Sequence, residues 1–220
     1  MASRCMRSVL MISSVFAVAL VSGPALACKG ATTLLREDFS DPSWTEQMTD
    51  WPSFQLGGGK AVVKTPVQKW QVLFYQGDFY PAGDACVTIT GPSAAPRDPS
   101  IVDAGIVLQD GRGDWWTPGI YADGSASVDR LANAGWLHPV PSRKFGAVKT
   151  GPNAVNVLRL VWSGPPPDGS NTPPDMNVTM FVNDQQFVVF KMAPNADRLF
   201  GLFADTEGTT YQFSNLAITK

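Results

Sequence analysis

The chain has 220 residues, with 17 Lys and Arg against 19 Asp and Glu, and its formal net charge is −2. These scattered charges provide no basic stripe for phosphates, which argues against a nucleic-acid partner. A hydrophobic share of 44% is enough to build a core and argues against a disordered chain.

The N-terminal segment has the features of a secretory signal peptide. Arg4 and Arg7 precede an apolar run, Val9 to Val21, and the sequence ALA ends at Ala27 as a small-x-small cleavage site. The run is about 13 residues, shorter than the roughly 20 that a helix needs to cross a bilayer. We therefore expect a secreted or periplasmic protein in which 1–27 are removed and 28–220 form one domain. Loss of the two arginines makes its net charge about −4.

Cysteine usage predicts a disulfide. Cys5 leaves with the signal peptide, so Cys28 and Cys86 remain as an even pair in an oxidising compartment. The alternative is that ALAC is a lipoprotein cleavage box and that Cys28 carries a lipid, which would tether the domain to a membrane. Ala25 stands where such boxes prefer leucine, and a strand begins soon after Cys28. Both details favour the disulfide.

Short runs of β-branched and aromatic residues recur between Gly, Pro, Asn and Asp, and no window shows helical periodicity. This pattern predicts an all-β, two-sheet antiparallel jelly-roll sandwich. Twelve strands are predicted: Thr33 to Phe39, Ala61 to Pro66, Trp70 to Gln76, Asp84 to Gly91, Asp103 to Asp110, Gly119 to Asp123, Ala126 to Leu131, Asn156 to Gly164, Asn177 to Asn183, Gln186 to Met192, Leu199 to Asp205 and Thr210 to Thr219.

Two connections carry local signals. Asn183 and Asp184 interrupt an alternating run, and both residue types tolerate the positive φ of a tight hairpin. The proline-rich segment 164–175 lacks periodicity and is predicted to be a loop within the domain.

The order of these motifs resembles a known fold family. REDFSDPSW, AGIVLQD, GIYADGSASVDR, NVLRLVWSG, VTMFVNDQQF, FGLFAD and YQFSNLAIT follow one another over Thr33 to Lys220. Together they resemble a concanavalin A-like lectin/glucanase jelly roll of the laminin-G-like or 3-keto-disaccharide-hydrolase-like kind. The resemblance implies that the first and last strands pair, that FGLF lies in a central strand and that the Asn-containing hairpin packs on the sheet. It identifies a fold that hosts lectins, glycosidases and adhesion modules.

Several catalytic arrangements lack their residues. Retaining hydrolysis needs two carboxyl groups about 5 Å apart, and the chain has no Glu-x-Asp-x-Glu run to supply them. His138 is the only histidine, which excludes a His-rich zinc site, and its place before Pro139 is typical of a surface loop. Calcium is the candidate ion, with Asp38 and Asp205 as ligands that the jelly-roll resemblance suggests. Their alternative role is to stabilise turns.

Flat aromatic surface beside polar groups is what carbohydrate binding requires. Trp44, Trp70 and Trp162 are expected in the core. The predicted carbohydrate-binding residues are Trp115, Trp116, Tyr121, Arg130 and Trp136. For the three tryptophans among them, half-buried packing in the sandwich core is the alternative.

The adjacent tryptophans are not expected to form one platform. Pro118 cannot donate to a central sheet ladder, so the strand is expected to begin at Gly119. Neighbouring extended residues face opposite ways, and we expect Trp116 to be exposed and Trp115 to be packed.

The leading hypothesis is therefore an exported, non-catalytic sandwich that binds a carbohydrate or glycoconjugate. One alternative is a glycoside hydrolase similar to the 3-keto-disaccharide hydrolases, with Asp110, Asp123 and Arg130 as its polar candidates. In the contrary interpretation Asp123 lies in a hairpin turn and Arg130 on a solvated face. A structural or adhesion module of the cell envelope is the other alternative.

Overall fold

A computed structural model describes residues 28–40, 44–47, 54–64, 70–75, 82–163, 174–194, 200–205 and 208–220. The predicted signal peptide and most of the proline-rich segment lie outside the described residues. Within the part that is described, no helix reaches the length and apolar character that crossing a membrane requires.

The described residues form fifteen strands: β1 (Thr33–Glu37), β2 (Trp44–Gln47), β3 (Phe54–Gly57), β4 (Lys60–Lys64), β5 (Trp70–Tyr75), β6 (Ala82–Thr90), β7 (Asp103–Gln109), β8 (Trp115–Tyr121), β9 (Ser125–Ala132), β10 (Gly135–Lys144), β11 (Val155–Ser163), β12 (Met176–Val182), β13 (Gln185–Met192), β14 (Phe200–Asp205) and β15 (Thr210–Thr219). One sheet has eight strands in the order β13-β12-β11-β6-β15-β4-β3, with β1 also on β15. The other has seven, in the order β10-β9-β8-β7-β14-β5-β2. The predicted two-sheet antiparallel sandwich is confirmed.

One shared core lies between the sheets. β11 shows the alternation that places it there, because Leu158, Leu160 and Trp162 are buried while the residues between them are more exposed. Full burial of each such side chain contributes about 1.5–3 kcal/mol. Trp162 needs a glycine opposite, since a Cβ on Gly83 would lie 2.7 Å from its ring.

Three sequence expectations about connectivity are confirmed. The first and last strands pair, with Thr33 opposite Thr219. FGLF lies in β14, which is hydrogen-bonded to β7 on one side and β5 on the other. The turn between β12 and β13 consists of Asn183 and Asp184, both with positive φ, at 48° and 66°. These two angles suit the twist of the flanking strands.

The predicted start of β8 is wrong. The strand begins at Trp115 and carries Pro118 in its middle, where Pro118 pairs with Val128 of β9. The pairing between β8 and β7 is interrupted at Thr117 and Pro118. No hydrogen bond to β7 therefore requires the N–H that proline lacks. A central strand can therefore accommodate this proline.

Three strands were not predicted: β2, β3 and β10. β10 contains Pro139 and Pro141, a residue type that is rare inside strands, but it is the edge of the seven-stranded sheet, where proline is tolerated. β3 is joined to β4 through Gly58 and Gly59, whose positive φ values of 60° and 78° make the reversal.

A covalent bond and an ion pair hold the segment that precedes β1 against the eight-stranded sheet. Cys28 and Cys86 form the predicted disulfide, which attaches the N-terminal segment to β6. Asp84 accepts two hydrogen bonds of 2.7 Å from Arg159 on β11, and its Oδ2 also accepts the Lys29 N–H at 2.9 Å. The bidentate pair is nearly buried, so its geometry matters for stability.

Candidate functional site

The seven-stranded sheet presents its outer face, which is the side turned away from the eight-stranded sheet. Register places Trp70, Asp205, Asp103 and Tyr121 directly opposite one another on β5, β14, β7 and β8. Directly opposed residues in antiparallel strands point to the same side. One cross-strand row therefore combines an indole, two carboxyl groups and a phenol.

Aromatic rings fill the middle of the outer face. Trp115 lies 4.9 Å from Phe74 and 5.7 Å from Trp70 between ring centroids, and Trp70 lies 6.4 Å from Phe203. The Phe203 ring lies over two glycines, because a Cβ on Gly105 or Gly119 would come within 2.6 or 2.7 Å of it. The glycines thus allow the ring to lie flat on the sheet.

Trp136 is the exposed member of this group. Its ring meets Trp70 edge-on at 5.4 Å and is 45% exposed. Trp136 belongs to β10 and Trp70 to β5, and four strands separate these two in the sheet order. The β9–β10 hairpin must therefore fold across the outer face, and the register shifts after Leu137 are irregularities of the kind that bend a strand.

A hydrogen-bonded polar group is centred on Asp129 of β9. Its Oδ2 accepts a 2.7 Å bond from Ser127 Oγ and a 3.4 Å bond from Tyr121 Oη, while its Oδ1 lies 2.6 Å from His138 Nδ1. His138 is two residues beyond Trp136 on β10 and is exposed. Because Nδ1 is engaged, the imidazole Nε2 is directed away from Asp129.

Charge repulsion shapes the acidic end of the face. Burial, followed by the neighbouring carboxylates of Asp205 and Asp129, holds the pKa of Asp103 well above its usual range. Burial and the nearby Asp103 also raise the pKa of Tyr121, so its phenol keeps its proton and can donate. The face therefore offers hydroxyl and carboxyl donors together with carboxylate acceptors.

The structure separates the five predicted carbohydrate-binding residues. Trp115, Tyr121 and Trp136 lie on the outer face, whereas Trp116 and Arg130 lie on the opposite side of the same strands. The expectation that Trp116 is exposed is wrong, because its ring is only 5% exposed. Trp115 is half-buried in the aromatic group.

Trp116 is held by contacts from three directions. Its ring stacks on Phe190 of β13 at 5.4 Å, and its Nε1 donates a 3.0 Å hydrogen bond to Asp110 Oδ2. The Arg130 guanidinium lies 5.2 Å from the ring centroid and pairs with Asp114. Arg130 is therefore half-buried and is not on a solvated face.

The residues suggested for a hydrolase have structural partners. Asp110 is fully buried and accepts the N–H groups of Arg112 and Asp114 as well as the Trp116 indole. Asp123 lies in the β8–β9 turn and pairs with Lys144 at 2.7 Å. Burial alone would raise the pKa of Asp123, but the Lys144 and Ser125 hydrogen bonds lower it.

The suggested calcium ligands, Asp38 and Asp205, belong to different sheets: Asp38 follows a strand of the eight-stranded sheet and Asp205 ends a strand of the seven-stranded sheet. Asp38 follows β1 and accepts the Ser40 Oγ–H at 2.6 Å and the Ser40 N–H at 3.0 Å, and these bonds lower its pKa. It therefore has the turn role given as its alternative. Asp205 is in β14, not in a turn. Among the described residues, no group of three His, Cys, Asp or Glu is placed to hold a metal ion.

The residues of the outer face that were not predicted from the sequence are Trp70, Ser127 and Asp129. The contact of His138 with Asp129 was not predicted either. Trp70 was expected in the core, yet it lies on the outer face. Ser127 and Asp129 are two residues apart in β9, so they share one side of the strand. This alternation was visible in SVDRL, but the facing strand β10, which brings His138, was not predicted.

Comparison with known proteins identifies the fold. No family model matches the chain, and no curated protein matches it either. A carbohydrate-binding module, CBM66, from Bacillus subtilis is 11% identical with a TM-score of 0.57 over 81% of this chain and 96% of that one. The β-glucanase of Bacillus licheniformis is 10% identical with a TM-score of 0.56, covering 84% and 97%.

A third solved structure, the carbohydrate recognition domain of Emp46p, is 13% identical with a TM-score of 0.54, covering 80% and 88% of the two chains. These likenesses establish a concanavalin A-like lectin/glucanase jelly roll, as the motif order suggested. At such identities they concern the fold alone.

Proposed function

We propose that the protein binds carbohydrate on the outer face of its seven-stranded sheet, with the Trp136 ring as the stacking surface. The exposed Trp136 indole carries this proposal, because a large apolar ring braced on Trp70 and left open to solvent has no packing role on its free side. Sugar rings present an apolar C–H face that stacks on such indoles. Ligand sites usually combine aromatic surface of this kind with a few polar groups.

The Asp129 group supports the proposal by supplying hydrogen-bonding partners nearby. His138 Nε2 and the remaining lone pair of Asp129 Oδ1 are suited to sugar hydroxyl groups, which both donate and accept. Their orientation is fixed in advance by Ser127 and Tyr121, which reduces the entropy lost on binding. CBM66 and the Emp46p domain, both named for carbohydrate binding, have the same fold and support this choice of ligand.

A Trp136→Ala variant tests the proposal against a closely matched control. Leu137 is also 45% exposed and is adjacent in sequence, but it is paired with Arg130 and faces the other side of β10. Affinity electrophoresis through gels containing soluble polysaccharides should retard the wild type and Leu137→Ala equally. Trp136→Ala should bind the retarding polysaccharide at least about tenfold more weakly. Equal retardation of all three proteins would refute the proposal.

Hydrolysis is the second candidate function, and one observation favours it. Asp103 lies directly opposite Asp205, and burial followed by the neighbouring Asp205 raises the pKa of Asp103, which is the direction that a general acid for glycosidic cleavage needs. The test is reducing-sugar release from any polysaccharide that the gels identify. Sugar release by the wild type that is lost in Asp103→Asn would establish hydrolysis. No release by the wild type would support a binding protein without catalysis.

We also propose that the protein is exported, because it combines the N-terminal signal features with a disulfide that uses Cys28. The same bond supports the non-lipidated form, since a sulfur in a disulfide cannot carry a thioether-linked lipid. N-terminal sequencing of the secreted protein should begin at Cys28. Retention of the intact N-terminus inside the cell would contradict export.

A further inference from the structure

One end of the sandwich contains a pocket of about 400 Å³, which borders the outer-face site at Tyr121 but is not lined by Trp136. Ile89 and Tyr211 of the eight-stranded sheet and Ile120 of the seven-stranded sheet form its inner wall. The pocket therefore opens directly onto the core between the sheets. Its volume lies within the range of about 300–1,000 Å³ that is typical of small-molecule sites.

Backbone hydrogen bonds hold the loops that surround the pocket. Gly91 N donates to Ala154 O at 2.9 Å, and Asn153 N donates to Pro92 O at 2.7 Å, which joins the loop after β6 to the loop before β11. Asp123 N donates to Pro99 O at 3.1 Å and attaches the β8–β9 turn to the same rim. The pocket is thus preformed by main-chain contacts.

Most polar groups around the pocket already have partners. Asn156 uses Oδ1 to accept from Lys149 N and Asn183 Nδ2, both at 2.8 Å, and uses Nδ2 to donate to Lys149 O. Lys144 and Asp123 neutralise each other. Lys149 is different, because its ammonium has no Asp or Glu oxygen within 4.0 Å among the described residues.

We propose that this end pocket binds a small molecule with an apolar body and one carboxylate, such as a medium-chain alkyl carboxylate. The apolar part lies against Ile89, Ile120 and Tyr211, where it removes hydrocarbon from water. The carboxylate lies at the rim, where Lys149 supplies a positive charge that no Asp or Glu of the described residues pairs with. Tyr121 lines both this pocket and the proposed carbohydrate site, whereas Trp136 and Asp129 do not line the pocket. Substitutions at Trp136 and at Lys149 therefore test the two proposals separately.

Calorimetric titration of the mature, disulfide-bonded protein with octanoate tests the proposal. Octanoate should bind at one saturable site, and shortening the chain to hexanoate should weaken binding by up to about fourfold per methylene. Lys149→Gln should weaken octanoate binding about tenfold while leaving binding of octan-1-ol unchanged. The matched control is Lys64→Gln, an exposed lysine on β4 outside the pocket, which should bind octanoate like the wild type.

A pocket-filling variant, Ala154→Phe, provides a second route, because Ala154 lines the pocket while its carbonyl bond to Gly91 belongs to the backbone. It should lose octanoate binding and keep polysaccharide retardation. Trp136→Ala should show the reverse, so failure of either proposal is distinguishable from failure of the other. Non-saturable octanoate binding, or equal affinity of wild type and Lys149→Gln, would overturn the pocket assignment even where Ala154→Phe fails to fold.

Discussion

Removal of the Cys28–Cys86 disulfide should lower the free energy of unfolding by an amount that depends on the length of the loop it closes. The two cysteines are 58 residues apart in sequence. Cross-linking a loop of that length lowers the entropy of the unfolded chain, which corresponds to about 4 kcal/mol of stability at 25 °C. The double variant Cys28→Ala/Cys86→Ala should lose about this free energy of unfolding. With a urea m-value of about 2 kcal/mol/M, its unfolding midpoint falls by about 2 M.

The control is the wild type unfolded in a reducing agent, which should approach the double variant. A loss below about 1 kcal/mol in both measurements would contradict the argument that the cross-link restrains the unfolded state. Mass spectrometry of the purified, non-reduced protein gives an independent check. We expect a mass two hydrogens below that of the reduced chain, and a diacylglyceryl group on Cys28 would contradict the disulfide.

Three further substitutions test separate parts of the structure. Because the pKa of Asp103 is raised in the folded state, that state keeps a proton which the unfolded chain releases near pH 3.8, so wild-type stability should fall as pH rises above that value. In urea unfolding measured from pH 4 to 8, the free energy of unfolding of Asp103→Asn should therefore fall less with rising pH than that of the wild type. An equal dependence on pH in the two proteins would contradict the raised pKa of Asp103. Arg159→Met leaves the nearly buried Asp84 carboxylate without its bidentate partner and should cost about 3–5 kcal/mol in urea unfolding; Arg159→Met in combination with Asp84→Asn should recover part of the loss, and no recovery would contradict direct pairing. Trp116→Phe removes the indole donor to a buried carboxylate and should cost about 1–3 kcal/mol by the same assay, with no change in polysaccharide retardation; weaker retardation would place Trp116 in the binding surface.

The parts of the fold that were predicted depend on local patterns. Asn183 and Asp184 impose a tight hairpin through backbone conformations that their own side chains tolerate, so the surrounding tertiary structure was not needed to place the turn. β11 was predicted from the run of β-branched and aromatic residues in NVLRLVWSG, and in the structure its burial alternates with the period of a strand. The cysteine pair followed from counting the cysteines that remain after the predicted cleavage site.

The candidate site depended on contacts that sequence patterns do not contain. Pro118 indicated a strand start, but its effect depends on which neighbouring strand would need its N–H, and that is a property of sheet order. Because the predicted strand began only at Gly119, it did not include Trp115 and Trp116. The face of the sheet that each ring occupies was therefore not determined by strand pairing. Phe190, which covers Trp116, comes from the other sheet.

Trp136 was identified from its polar surroundings, but its support was not. The ring is braced by Trp70, which is 66 positions earlier in the printed sequence and separated by four intervening strands in the sheet. Only the fold of the β9–β10 hairpin across the outer face brings the two indoles together. The same fold brings His138 to Asp129, so a histidine that is typical of a loop becomes part of the polar group.

The most direct test of carbohydrate binding on the outer face is ¹⁹F NMR of protein labelled with 5-fluorotryptophan. Each resonance is assigned by single Trp→Phe substitution, and the oligosaccharide is prepared from a polysaccharide that retards the wild type. We expect the Trp136 resonance to shift saturably on titration, with a smaller shift for Trp70, while Trp162, buried in the core, does not move. A saturable shift at Trp116 with Trp136 unchanged would contradict the account.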